Sequence, residues 1–384
     1  MKVNSEASKK NLRTIPLGHV FGIPIGAHYS WFTILVLLTW VLAVSYYPAE
    51  FHDWSAVLYW IMGALTAILL FVAVLVHELG HAVVAQRYKV PVRGITLFIF
   101  GGVAQMGEEP PNAVAEFWIA VAGPLVSFAL AAVLGLLQAA LSGVAPLLAL
   151  TKYLAYVNGT LALFNLIPGF PLDGGRVFRA VMWAITHNLQ RATLLAANLG
   201  RGVSLLFIVV GVWQLIDGNI GTGLWIAFIG WFLETAARAE VRRQEIQGLL
   251  AGRRTAEAMD ADPAFIAAGT TLQQLVDRFI RVAGQCSFVV EANDHPVGLL
   301  TLHQIKGVPR SEWPTTPAAR IMIPATRAKS IGPDSELSIV LQQMDRSGAT
   351  QLPVMANGRI VGMLTREDIM RFLRTLREKP CHSE

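Results

Sequence analysis

Between Ser55 and Val76 the chain runs almost without a break through apolar side chains, and His77-Glu78-Leu79-Gly80-His81 follows in the same apolar surroundings. A stretch of this length reads as a membrane-spanning helix, the form in which a bilayer-embedded segment satisfies its own backbone hydrogen bonds. Ionisable groups within such a span are expensive, so their default reading is functional. His77 and His81 are four apart and project from one helix face about a turn apart. At that spacing two imidazoles can share one Zn²⁺, and Glu78 can act on a water held there. Two histidines satisfied by backbone or by each other remain the plainer reading until a third ligand is found.

The rest of the N-terminal part follows the same pattern. Overall 54% of the 384 residues are hydrophobic and 15% are charged, against about 25% charged in a soluble domain. The average conceals a division: long apolar runs precede residue 240, and ordinary soluble composition follows residue 250. An integral membrane domain followed by a soluble one is expected. Six spans are expected near 29–47, 56–86, 114–141, 147–167, 198–216 and 220–240. Lys9, Lys10 and Arg13 precede the first span, Arg87, Lys89 and Arg93 follow the second, Arg176, Arg179 and Arg191 the fourth, and Arg238, Arg242 and Arg243 the sixth. With both termini cytoplasmic, the positive-inside rule places every cluster on one side, Lys152 being the main exception. That topology sets the two histidines near the cytoplasmic face of a multi-pass protein, in the plasma or inner membrane if the source is prokaryotic.

The net charge of +5 is modest and gathers at span ends, which speaks for topology and against nucleic-acid binding. Cys286 and Cys381 form no disulfide framework or metal pattern and fit a reducing compartment. The first apolar run is too long for a cleavable signal and reads as a retained span. Leu17 to His28 reads as a short interfacial strand or hairpin. Val92 to Met106, with Gly101-Gly102 at its centre, reads as a β-hairpin that must lie against protein or a wet cavity. Such a strand edge is where an extended peptide could be added; a plain connecting loop is the alternative.

The fourth span ends in Asn165-Leu166-Ile167-Pro168-Gly169-Phe170-Pro171-Leu172-Asp173-Gly174-Gly175-Arg176. Broken helix at membrane depth is tolerated where it lines a cavity. The arginines that follow put Asp173 on the same side as His77 and His81. Alone, Asp173 would be a turn or capping aspartate; with the histidines it completes a set of two His and one carboxylate, which leaves a fourth zinc position open. Together, the His77–His81 motif and the Asn165–Arg176 segment resemble the site-2 protease family of intramembrane zinc metalloproteases, as do the Gly101-Gly102 hairpin and Gly123-Pro124. The resemblance covers most of residues 15–240. It implies His77, His81 and Asp173 as zinc ligands, Glu78 as the residue that activates water, and Asn165 as a group that holds substrate or oxyanion. It implies as substrate a single-span membrane protein cut within its transmembrane helix. The PDZ domain of some members is missing.

Beyond a charged linker helix over 241–254, an internal repeat of about 64 residues appears. Phe288-Val289-Val290…Pro296-Val297-Gly298-Leu299-Leu300-Thr301 echoes Leu352-Pro353-Val354…Ile360-Val361-Gly362-Met363-Leu364-Thr365. Each unit reads strand–helix–strand–strand–helix, with Asn357-Gly358 as a hairpin turn in the second. The repeat resembles a tandem pair of cystathionine-β-synthase-type (CBS) domains, which often bind adenine nucleotides and often dimerise. ATP or AMP, and a homodimer through these domains, are therefore what the resemblance implies. Thr365 and Asp368 match the family's phosphate and ribose contacts, whereas Thr301-Leu302-His303-Gln304 lacks the carboxylate. The alternative is that Asp368 only caps the final helix.

The expected fold is thus a polytopic α-helical membrane domain of about six helices, with a short β-hairpin near the active site, followed by an α/β tandem CBS pair. The expected divisions are a disordered tail (1–15), a membrane metalloprotease domain (16–240), the linker helix (241–254), CBS domains at 255–312 and 313–374, and a C-terminal tail (375–384). A CBS-regulated transporter or a non-catalytic membrane scaffold is the competing class. A transporter would spread polar residues along several spans, whereas here they concentrate at His77, Glu78, His81 and Asp173.

Overall fold

A computed structural model describes residues 14–99, 101–280, 287–292, 295–324, 330–356 and 359–378. Most of the N-terminal tail, both cysteines, the Asn357-Gly358 turn and the C-terminal tail from Lys379 lie outside the described residues. The chain divides into two compact units, Met1–Gln244 and Glu245–Glu384.

In the first unit, strands β1 (Thr14–Val20) and β2 (Ile23–His28) lead into helix α1 (Tyr29–Glu50). Helix α2 (Ala56–Arg87) carries the two histidines. Strands β3 (Val92–Phe98) and β4 (Gly101–Met106) form the expected hairpin. Helices α3 (Ala113–Ala140), α4 (Ala145–Asn165), α5 (Asp173–Thr186), α6 (Leu189–Ile216) and α7 (Ile220–Leu250) complete the unit, and α7 continues into the second. All but α5 are long and apolar enough to cross a bilayer, which gives the six expected spans.

Local chemistry sets the ends of these helices. Side chains of Ser55, Asn112 and Asn188 accept hydrogen bonds from the backbone N–H of Leu58, Ala115 and Arg191, which satisfies otherwise orphaned donors. Helix α2 stops where Lys89 turns left-handed (φ 61°) just ahead of Pro91. Helix α5 was not expected as a separate element. It forms because Pro168 and Pro171 end α4's course, and a fresh helix starts at Asp173.

The two hairpins join into one four-stranded sheet in the order β1-β2-β3-β4, because β2 pairs in parallel with β3 (Ile25 opposite Ile95, Ala27 opposite Leu97). Ile23 and Ile95 pack with Leu79 and Ala82 of α2, which fixes the sheet beside the histidines. Helices α2 and α3 approach closely where Gly80 faces Val126 and the Ala122 carbonyl. A buried ion pair ties α3 to α5: Arg179 donates from Nε and Nη2 to Glu116 Oε1, at 2.6 Å from Nε, and its guanidinium lies over the Phe170 ring.

In the second unit, strands β5 (Ala264–Ala267), β6 (Ser287–Ala292), β7 (His295–Thr301) and β8 (Ile323–Pro324) make one sheet. Helix α8 (Leu337–Ser347), strands β9 (Gln351–Ala356) and β10 (Arg359–Thr365) and helix α9 (Arg366–Glu378) make the second repeat. Each repeat has its own core, around Leu272, Phe288 and Leu300 in one and Leu337, Val354 and Leu364 in the other. Val289, Leu299 and Met363 join them.

Glu116 is fully buried, so replacing it leaves a buried, uncompensated Arg179. Glu116→Leu is expected to lower stability by about 3–5 kcal/mol, and Glu116→Leu with Arg179→Met to recover most of it. Thermal unfolding of the purified protein in detergent checks both.

Candidate metal centre

His77 stands 21 residues beyond the first residue of α2, or about 32 Å along the helix axis. That is about one hydrocarbon thickness. Both imidazoles are buried, each about 4% exposed. Their rings meet edge to face with centroids 4.9 Å apart. The outer nitrogen of each is held: His81 Nδ1 donates to the Ile119 carbonyl at 2.6 Å, and His77 Nδ1 bonds Ser127 Oγ at 2.9 Å. Both partners come from α3. With Nδ1 protonated, the Nε2 of His81 presents a lone pair.

Asp173 is brought to these lone pairs by the broken segment before α5. That segment turns back over the start of the helix so tightly that only glycine fits. A Cβ on Gly174 would lie 2.3 Å from the Leu166 carbonyl oxygen, and one on Gly175 2.4 Å from the Phe170 nitrogen. Asp173 Oδ2 then stands 3.3 Å from His77 Nε2 and 3.2 Å from His81 Nε2.

The two Nε2 atoms lie 3.3 Å apart, so three electron-pair donors converge on one point. An ion bound tetrahedrally at about 2.0–2.1 Å needs donors about 3.3–3.4 Å apart, as the zinc bond lengths require. The observed separations fit that requirement, and hydrogen bonds like those to Ser127 and Ile119 are the kind that orient metal-binding histidines.

Glu78 lies beside this set, and its Oε2 accepts a hydrogen bond from the Ala104 N–H of β4 at 3.2 Å. Strand β4 can come this close because Gly102 has no Cβ; one would fall 2.6 Å from Glu78 Cγ. Asn165 ends α4, partly buried, and its side chain makes no hydrogen bond among the described residues. Thr365 and Asp368 lie in the second unit, where they cap α9 reciprocally. Asp368 Oδ2 accepts from the Thr365 N–H and hydroxyl at 3.0 and 2.6 Å, and Thr365 Oγ1 accepts from the Asp368 N–H at 3.1 Å. Thr301 and Gln304 cap the matching helix of the first repeat in the same way.

Sequence reasoning missed Ser127, the Ile119 carbonyl and the Ala104 N–H as partners of the site. Ser127 had one available signal, a hydroxyl in an apolar span four residues from Gly123, and so on one helix face with it. The part of Gly123 is larger than the close helix approach expected of it. A Cβ there would lie 2.2 Å from His81 Nε2 and 2.6 Å from His77 Nε2.

Comparison with known proteins identifies the family. Residues 65–152 and 142–211 match the sequence model of peptidase family M50, and residues 256–309 and 318–375 match that of the CBS domain. The chain is 38% identical to a Mycobacterium tuberculosis protein named zinc metalloprotease Rip3, over 94% of this chain and 92% of the relative. It is 33% identical to the Synechocystis protein named zinc metalloprotease sll0528, over 94% and 96%. Among solved structures it resembles the site-2 protease from Methanocaldococcus jannaschii, with 31% identity over 59% of this chain and 95% of that one and a TM-score of 0.42.

Gly123→Ala is expected to abolish high-affinity zinc binding by displacing the histidine rings. Ser127→Ala, which removes an orienting partner, should weaken zinc affinity by roughly 10–100-fold. Metal analysis of the purified variants after dialysis against graded chelator checks both.

Proposed function

Because this chain belongs to peptidase family M50, the site-2 zinc metalloproteases, we propose that it hydrolyses a peptide bond inside the transmembrane segment of a single-span membrane protein. The observation that carries this reading is the convergence of His77, His81 and Asp173 beside Glu78 on a membrane-length helix. A bound Zn²⁺ would polarise the scissile carbonyl and make water a nucleophile near neutral pH.

The chain's own residues account for the remaining steps. Glu78 takes the proton of the attacking water and delivers it to the leaving nitrogen. Its carboxylate is aimed by the Ala104 N–H. Asn165 is the amide donor proposed for the developing oxyanion.

A substrate helix must unwind before its carbonyls can be attacked, and the sheet suggests where the unwound segment goes. Its two edges differ. Strand β1 carries Pro16 and a register shift between Pro16 and Gly18, features that blunt an edge. Strand β4 pairs with β3 alone among the described strands, has no proline, and its Ala104 N–H bonds Glu78. Strand addition along β4 would hold the segment extended at the site.

The basic clusters at the span ends support cytoplasmic termini and a site near the cytoplasmic face. Members of the CBS family often bind adenine nucleotides, so ATP or AMP at the CBS pair is the proposed regulator and a CBS-mediated homodimer the proposed assembly. The Thr365–Asp368 cap already engages both residues, so a nucleotide's ribose and phosphate would have to share or replace that bond.

The purified protein is expected to bind one zinc per chain and to cut a single-span peptide in detergent or liposomes. Glu78→Gln should retain zinc and lose roughly 10²–10⁴-fold in rate, the usual worth of a general base. A wild-type protein that binds zinc and cuts no membrane-embedded peptide, or a Glu78→Gln variant that cuts normally, would refute the reading.

A further inference from the structure

Two arginines stand three residues apart, on one face of α5, and their circumstances differ. Arg179 donates from Nε and Nη2 to Glu116 and lies over the Phe170 ring. Arg176 is partly buried, and its one hydrogen bond among the described residues goes from Nη2 to Met106 Sδ at 3.6 Å. A thioether is a weak acceptor, and a guanidinium carries five N–H donors and keeps its charge. Glu116, Asp173 and Glu78 are close enough to act on it electrostatically, yet none accepts a hydrogen bond from it among the described residues. Partly burying a cation in this state is costly unless another partner arrives.

The position of Arg176 suggests that partner. Met106 is the last residue of β4, two beyond Ala104, whose N–H reaches Glu78. Along a strand that is about 6.6 Å. Residues 102, 104 and 106 share one face of β4. Gly102 meets Glu78 on that face, and Met106 meets Arg176. The guanidinium therefore lies about one dipeptide step along β4 from the contact that aims Glu78.

A segment paired to β4 would have half of its backbone groups satisfied by β4, while the alternate carbonyls point away from it. In a water-poor site each such carbonyl left unbonded is expensive, and unwinding has just removed its helical partner. We propose that Arg176 is a substrate-binding residue that donates to a main-chain carbonyl of the unwound segment, one dipeptide step from the scissile bond. A fork of several donors suits this task, because it needs no particular side chain on the substrate. This inference rests on the protease reading above.

The test couples Arg176 to one carbonyl. Single-span peptides are synthesised with one backbone amide at a time replaced by an ester, which weakens that carbonyl as an acceptor. Zinc content, kcat and KM are measured for wild type, Arg176→Gln and Arg176→Lys, with the cut site located by mass spectrometry. Arg176→Gln is expected to keep its zinc and lose roughly 10–100-fold in kcat/KM, the range for a hydrogen bond to a charged group. At one ester position the wild type should slow by about tenfold and Arg176→Gln by less than about twofold, the non-additivity of groups in contact. Arg176→Lys, with the charge and without the fork, should show weaker coupling at the same position, and it carries the test if Arg176→Gln loses zinc or misfolds.

Equal slowing of wild type and both variants at every position, with zinc retained, would overturn the inference, as would an Arg176→Gln rate within about twofold of wild type. Failure of the wild type to cut any peptide would instead overturn the protease reading, and this inference with it.

Discussion

The backbone of α3 passes so close to the paired imidazoles of α2 that the site leaves no room for a methyl group at Gly123. That contact sets the depth of everything around it. Because α3 is held against α2 there, its Ile119 carbonyl and Ser127 hydroxyl reach the outer nitrogens of the two rings. The inner nitrogens are then turned toward Asp173. Lipid offers no partner to a misplaced polar group, so each of these bonds has to be supplied by the protein. Only a backbone without a side chain leaves space both for two rings and for an ion among them.

The same logic extends to Asp173. Asp173 is not carried on a transmembrane helix. Two prolines and two glycines instead fold the chain back on itself and restart a helix with the aspartate as its first residue. The first turn of a helix favours an anion. Farther along α5, Arg179 locks to Glu116 of α3. One short amphipathic helix thus bears a proposed ligand at its start and an anchor less than two turns later, both directed at elements that hold the histidines.

Much of this was legible in the sequence, and the reason is apolarity. Spans announce themselves by length and composition, so six were expected, and six helices among the described residues are long and apolar enough. The His77–His81 spacing and the Pro–Asp-Gly-Gly segment are local signals with local causes. What was not legible depends on distant segments meeting. The parallel pairing of β2 with β3, some seventy residues on, joins two hairpins that each read as independent. Ser127 was one more hydroxyl in an apolar run until α3 packed on α2. Helix α5 was hidden because fourteen residues of mixed polarity after a proline-rich break resemble a loop more than a span. In the soluble repeat, the Thr365–Asp368 pattern could be read either as a nucleotide contact or as a cap. The structure contains the cap, and a cap does not exclude the other use.

The two ends of the membrane-domain sheet show how one architecture can present two unlike edges. Open strand edges are a hazard in any protein and are forbidden to lipid. At β1 the edge is made poor at pairing by a proline and a bulge. At β4 there is no proline, the register shift of its pairing falls on the β3 side between Val92 and Gly94, and its Ala104 N–H is bonded to a carboxylate. A sheet that only braced the helices would have no reason to treat its edges differently. Both peculiarities of β4 follow if it receives another strand: Gly102 lets the strand approach Glu78, and Met106 gives Arg176 only a weak partner. On the proposed reading, the first would bring the reacting bond within reach of Glu78, and the second would leave a cation to be completed by a substrate extended along the strand.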